Sequence, residues 1–511
     1  MSGISLAVVG GGASAVCLID ALAQTQSPSG SITVFEPSPN LWRGRAYQVD
    51  TDTIKVNAPP EDMSVRVGDL DHLRRWLDAR QRVVEFDSAD PVSGACFPPR
   101  TVYGEYLEQS AYSALGELRR NGWRVDLVGA AVTSARCTDE RIHLSTSNGS
   151  DSAFDYVVLC VGGDGPKDAY GLSGAPGFIA DPYPMSHSLR GIGPREDVAV
   201  VGSGLTAVDT VLALAAQGHQ GRISLLSRRG VLPGVRQRPL HFEPRHLTKE
   251  RMRALARTGR ELPLAEFARI VAAELRDAGS DPEAVHAEIT DLGREAPGER
   301  LRRQFAAVDS ADPGLRILQN AVPDIGPDVW PQLPEKDRAE LLRSHYRTIM
   351  SLCCPMPPAS AAVLLELVDS GQLHIRSGLR KVAERGGGGF ELLTADEPPV
   401  TADTVVNAVN ASEGRVPVGA LPLVTSLTRA GAASLHPHGG LRLARATSRL
   451  ADAQGRHDPR LYGLGTIGAG SLFFTFGVPS LVDRAEDIVA AILRDAGDRH
   501  PTRSADALLP A

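Results

Sequence analysis

The stretch 5-SLAVVGGGASAVCLIDAL-22 decides the fold, and the chain writes its design a second time as 197-DVAVVGSGLTAVDTVLAL-214. Each copy opens with a short β-rich apolar run suited to a buried parallel strand. Each then passes through G-x-G-x-x-A and enters a helical pattern. In the first copy Gly10 permits a tight turn, Gly12 lets the backbone approach a pyrophosphate, and Ala15 lets helix and strand pack closely. Ser14 stands in the first helical turn, where free N–H groups would face phosphates. The second strand, 31-SITVFEP-37, carries Glu36, an acid placed to accept hydrogen bonds from ribose hydroxyls. A glycine triplet alone is weak, but strand, glycines, helix, strand and acid in this order specify a dinucleotide cradle.

The second copy carries Gly202, Ser203, Gly204, Leu205, Thr206 and Ala207 in the same places, and its second strand is 222-RISLLS-227. There the acid is missing and the chain reads Ser227-Arg228-Arg229. A carboxylate would repel a 2′-phosphate, whereas arginine binds one bidentately. The expected cofactors are therefore FAD in the first cradle and NADPH in the second, with hydride passing between them. The competing reading of Arg228 and Arg229 is a solvated surface pair.

At 511 residues the chain is too long for one core, and 42% hydrophobic with 23% charged residues is ordinary for a globular protein. A net charge of -7 argues against nucleic acid or an anionic membrane as partner. The segment 4-ISLAVVGGGASAVCLIDALA-23 has no Lys or Arg before it, and its three glycines break the apolar run, so it is not read as a signal peptide. No run approaches the length of about 18 apolar residues that a membrane span requires. A cytoplasmic protein is expected, with a homo-oligomer left open. The six cysteines form no C-x-x-C, which signals neither a redox dithiol nor a zinc site; the adjacent Cys353 and Cys354 have no assigned role. The histidines, including 436-HPH-438, lack a third ligand, and no metal is expected.

The order of patterns implies an α/β chain with two Rossmann-like dinucleotide-binding domains: a discontinuous FAD domain, an inserted NADPH domain, and a helical insertion. The first part of the FAD domain is placed at 1–190. Its β-run 155-DYVVLCVGG-163 ends in glycines that include the candidate cofactor contact Gly162. The NADPH domain is placed at 191–412, and its run 403-DTVVNAVNAS-412 leads back to the FAD domain at 413–511. Residues from about 240 to 350 break the Rossmann pattern with apolar residues at helical spacing. The C-terminal 497-GDRHPTRSADALLPA-511 is expected to be a loose tail.

Several further segments carry a family likeness: 44-GRAY-47, 55-KVNAPPEDMSV-65, 97-FPPRTVYGEYL-107, 224-SLLSRRGVLP-233 and 463-GLGTIGAGSLFFT-475. Over nearly its whole length the chain resembles the FAD/NAD(P)-binding flavoproteins with two dinucleotide-binding domains, distantly related to the amine N-hydroxylating flavin monooxygenases. The resemblance implies that Arg45 and Ala46 lie along the FAD beyond its adenosine, with Asn57 and Met63 near the flavin ring. It also implies that Gly468, Gly470 and the following SLFFT close over the ring's far edge. One departure is 350-MSLCCPMPP-358, where relatives tend to carry Arg and His.

The activity that follows is an NADPH-dependent monooxygenase. Reduced flavin adds oxygen at C4a, and the resulting hydroperoxide oxidises a nucleophilic nitrogen of a small polar amine or amino acid, aspartate being the first candidate. Such chemistry needs a dry site and a neutral amine rather than a strong acid or base, so no catalytic residue is assigned. A substrate carboxylate would call for arginine. The loop 233-PGVRQRPLHFEPRH-246 offers Arg236, Arg238 and His241. The partners are then a small-molecule substrate and molecular oxygen. Two rivals share the same cradles: a flavin reductase or dehydrogenase that does not transfer oxygen, and a non-catalytic redox sensor.

Overall fold

The computed structural model describes residues 3–25, 29–291, 294–395, 397–409, 416–475 and 477–499. The expected C-terminal tail lies mostly outside them: residues 497–499 finish the last helix, Val478–Arg499. Residues 410–412 of the expected return crossing also lie outside.

The first glycine loop follows the strand Ile4–Val9 at the centre of a six-stranded sheet. On one side of it come Gly30–Phe35 and Arg124–Val128, on the other Tyr156–Leu159 and His457–Gly463, all parallel. Arg449–Ala451 adds an antiparallel edge. Leu6 and Val8 point into one core, and Ala7 and Val9 into another on the opposite face. A strand buried on both faces has no polar alternation, which is why the run reads as continuously apolar. The helices Ala13–Ala23, Arg100–Arg120 and Val478–Arg499 cover the first face. A three-stranded antiparallel meander, Val132–Cys137, Ile142–Thr146 and Asp151–Phe154, covers the second with the helix Leu421–Arg429.

The second loop stands in a near-copy of this arrangement. Val198–Val201 is central, with Ile223–Leu226 and Leu373–Arg376 on one side and Thr404–Asn407 and Phe178–Ile179 on the other, all parallel. Val198 and Val200 again face one core, and Ala199 and Val201 the other. A meander of Leu379–Glu384, Phe390–Thr394 and Val400–Ala402 again sits between the third strand and the strand that returns beside the first. The repeat therefore extends well beyond the glycine loops, through the order of four parallel strands and the meander; the edge strands beyond the returning strand differ, His457–Gly463 coming late in the chain and Phe178–Ile179 before the second loop.

Where the first unit passes from its second strand to the helix Arg100–Arg120, the second unit carries a helical insertion. Its helices run from Lys249–Arg257 to Tyr346–Cys353 around a core of its own that includes Met252, Leu275, Ile317 and Trp330. The insertion docks on the first unit. Lys249 bridges Asp324 (2.7 Å) and Asp483 (2.6 Å), and the buried Asp328 takes Arg253 (3.0 Å) together with Arg445. The Trp330 indole donates to the Gly470 carbonyl at 2.9 Å. The two sheet units are joined separately by Arg100, which pairs with Asp209 (2.9 Å) on the second glycine helix and donates to the Tyr183 hydroxyl (2.9 Å). No helix among the described residues is long and apolar enough to cross a membrane.

Candidate functional site

Both glycine loops are shaped by the same two constraints. Gly10 and Gly202 have φ of +104° and +132°. A Cβ on either would stand 2.5 Å from the Cys160 carbonyl oxygen or 2.4 Å from that of Ala408. Each loop is pressed against the strand that returns beside it, and only glycine fits. Gly12 is different: a Cβ there meets nothing nearer than Gly44 Cα at 3.8 Å. Gly12 and Gly44, the latter at φ +57°, lie backbone to backbone, and no side chain comes within 4 Å of a Cβ built on either. The N–H groups of Gly12, Ala13 and Ser14 find no acceptor among the described residues. A helix N-terminus with free donors beside two bare glycines fits a pyrophosphate.

The C-terminal segment returns to this cradle. Gly465 (φ +85°) lies so close to Ser14 that a Cβ would stand 2.6 Å from the serine oxygen. Glu36 sits at the end of the second strand, where its carboxylate accepts from Gly11 N–H (2.7 Å) and Ser38 N–H (2.8 Å). In the second loop Ser227 occupies the place of the acid, so the N–H of Ser203 has no such acceptor. Arg228 and Arg229 follow on the surface, and neither pairs with a carboxylate among the described residues. Gly204 caps the helix Leu205–Ala216, whose Thr206 carbonyl accepts from the Thr210 hydroxyl.

The other candidates are dispersed around these loops. Arg45 makes a two-pronged contact with Asp181 of the inter-unit linker (2.6 and 3.2 Å) and stacks over Tyr183. Ala46 and Gly162 are exposed. Met63 is buried, and its carbonyl accepts from the Tyr103 hydroxyl (2.8 Å). The Asn57 amide donates to the Pro355 carbonyl (3.4 Å), and the Asn57 carbonyl accepts from Arg236 Nε (2.9 Å). Gly468 ends a short turn against Leu443. Beyond it Phe473 takes φ +62°, a costly conformation for a bulky residue. It is held there by stacking on Trp330 at 4.6 Å.

Of the three substrate candidates, Arg236 alone is buried with terminal nitrogens that have no partner among the described residues. Arg238 is committed to Asp309 (2.7 Å) and to the carbonyls of Val92 and Ser93. His241 projects into solvent beside Glu243. Asp62 adds a group absent from the sequence reading. Burial raises its pKa to about 6 against the pull of Arg236, and its carboxylate makes no hydrogen bond or ion pair among the described residues. The neighbouring thiols are held protonated, since burial lifts Cys353 well above its usual range and Cys354 to about 12.

A cavity of about 650 Å³ opens between the second unit, the insertion and the C-terminal segment. Its lining is both cationic, with Lys167, Arg228, Arg347 and Arg380, and aromatic, with Tyr170, Trp330, Tyr346 and Phe473, and Arg347 lies over the Tyr346 ring at 5.8 Å. Only Arg228 was visible in the sequence. The other three come from the linker, the insertion and the second meander, and nothing local in their sequence marks them.

Residues 7–164 match the profile of a family described as FAD-NAD(P)-binding. No curated protein matches the chain in sequence. Solved structures share its fold over nearly its full length. The ornithine hydroxylase of Pseudomonas aeruginosa aligns at 16% identity and a TM-score of 0.52, covering 97% of this chain and 100% of its own. For the ornithine N-hydroxylase of Kutzneria sp. 744 the values are 14%, 0.53, 97% and 100%. The FAD-bound cadaverine monooxygenase of Erwinia amylovora gives 11%, 0.55, 96% and 94%. Likeness at identities this low shows a common fold; in this chain the second glycine-loop unit is inserted in the first.

Proposed function

We propose that this protein is an FAD-containing, NADPH-consuming monooxygenase that oxygenates the nitrogen of a small polar amine, with amino acids such as aspartate as first candidates. The observation that carries the reading is the pair of matched cradles that differ at one point: Glu36 follows the first, and Ser227-Arg228-Arg229 follows the second. An acid suits the free ribose hydroxyls of FAD, and arginine suits the 2′-phosphate of NADPH. The solved structures of the same architecture include proteins named as ornithine and cadaverine oxygenases, which supports an amine as substrate.

Bound FAD would supply the chemistry, taking hydride from NADPH and activating dioxygen: amine, NADPH, O₂ and a proton give hydroxylamine, NADP⁺ and water. The protein's part is to bind, orient and deprotonate. The bare backbones of Gly12 and Gly44 and the free N–H groups beside them would hold the FAD pyrophosphate. Arg236, anchored by Nε on the Asn57 carbonyl, leaves its other nitrogens for a substrate carboxylate. Asp62, with a pKa of about 6, is ionised at neutral pH and can take the proton from a substrate ammonium. A neutral amine is the form with a lone pair to attack oxygen.

The test is to follow NADPH oxidation and nitrogenous products across a panel of amino acids. One candidate should accelerate NADPH consumption and yield a hydroxylamine, nitroso or nitro product. NADPH consumed with hydrogen peroxide as sole oxygen product, whatever amine is present, would make the protein a reductase instead.

A further inference from the structure

We infer that the helical insertion reads the phosphate of the nicotinamide cofactor. Arg347, carried on the insertion, joins Arg228, Lys167 and Arg380 in one site for a phosphate monoester, the 2′-phosphate of NADPH. The inference rests on the NADPH reading given above and assigns part of the insertion's role.

The four cations come from four separated segments. Lys167 lies in the linker, Arg228 follows the strand Ile223–Leu226, Arg347 is on the helix Tyr346–Cys353, and Arg380 is on the strand Leu379–Glu384. All four line the same cavity of about 650 Å³, a volume suited to a nucleotide-sized ligand. Among the described residues no aspartate or glutamate lines it. Elsewhere in the chain arginines are commonly met by carboxylates, as Arg43 is by Glu108 and Arg303 by Glu288 and Glu295. Among the described residues none of these four has a carboxylate within 4 Å.

Arg347 shows the consequence. It is partly buried, and its pKa is pressed down by burial and then by the like charges of Arg228 and Arg229. Folding has gathered positive charge without a counter-ion, and an anion in the cavity would relieve the repulsion. A phosphate monoester supplies two charges and three oxygens, and the guanidinium fork matches its geometry. The position agrees as well, because the end of the second strand of a Rossmann unit is where an adenosine ribose is read. The aromatic lining then offers flat surfaces to the remainder of the cofactor.

Direct binding of adenosine 2′,5′-bisphosphate and of adenosine 5′-monophosphate, measured by calorimetry on the FAD-loaded protein, separates the phosphate from the rest of the ligand. Arg347→Ala should weaken the bisphosphate about 10- to 100-fold, the range for one charge-assisted contact. The monophosphate should be unchanged, and Arg347→Lys should recover part of the loss. The KM for NADPH should rise in parallel while that for NADH stays put. If Arg228→Ala weakens the bisphosphate and a folded Arg347→Ala does not, the insertion has no part in phosphate reading, although the NADPH assignment stands. Equal losses for both nucleotides in Arg347→Ala would also overturn the inference, since they indicate a general structural role. If the wild-type protein does not distinguish the two nucleotides, the NADPH assignment fails with it. Should Arg347→Ala not fold, Arg347→Lys and Arg380→Ala, read by the same pair of nucleotides, decide the matter: unchanged discrimination in both overturns the site.

Discussion

Two glycines three positions or fewer apart have opposite jobs, and substitution separates them. Gly10 is a folding residue: its φ of +104° and the 2.5 Å approach to the Cys160 carbonyl leave no place for a Cβ. Gly10→Ala should destabilise the whole chain by about 1–3 kcal/mol or more, seen as a lower thermal midpoint with or without flavin. Gly12 has no such constraint, since a Cβ there would meet only the Gly44 backbone at 3.8 Å, and the proposed cofactor lies beside it. Gly12→Val should leave the fold intact and the protein colourless; full flavin occupancy would remove the first cradle from the account. Asp62 makes a third residue-level case. Its folded pKa, about 6, lies above its unfolded value near 3.8, so the folded state binds the extra proton between those pH values. Stability is therefore lost as pH rises through that window, with a cost on the order of 1–3 kcal/mol at pH 7. Asp62→Asn should raise the melting temperature at pH 7, have little effect at pH 4, and impair amine oxygenation. A melting-temperature gain that is the same at both pH values would contradict the buried-carboxylate reading. The loops were legible because their constraints are local in sequence. Gly44, Asp62 and Arg347 were not, because only folding brings them to the site.

At the level of elements, the insertion was recognisable by its helical spacing, but an apolar face does not say what it packs against. The structure shows it fastened to the first unit through Asp328, which is 2% exposed and serves Arg253 and Arg445 with Arg484 at 4.0 Å. Removing the carboxylate would strand the half-buried guanidinium groups of Arg253 and Arg445, a loss of about 1.5–3 kcal/mol, the range for hydrogen bonds to charged groups. Asp328→Ala should lower the melting temperature and speed amide exchange in the helices from Lys249 to Cys353 more than in the two sheets. Uniform acceleration would show that the insertion and the sheets unfold as one body. The same docking places Phe473 on Trp330 and so ties the conformation of the C-terminal segment to the insertion.

Across the whole molecule one plan is used twice, with the same order of four parallel strands, the same meander and the same glycine turn. The sequence disclosed the two loops because strand, turn and helix are contiguous there. It concealed the extent of the repeat, since the second and third strands of each unit are separated by stretches of different length, the second unit carrying the insertion there. The two units meet at Arg100, Tyr183 and Asp209, which sets one cradle relative to the other. On this account their purpose is a single electron path from NADPH through FAD to oxygen and an amine. The most direct test is to supply ¹⁸O₂ with NADPH and the amino-acid panel, and to weigh the products. The account predicts an amine-derived product that gains one heavy oxygen on nitrogen, in amounts that track NADPH consumed. Label found only in hydrogen peroxide and water, or on a sulfur or carbon atom while no amine is labelled, would contradict it.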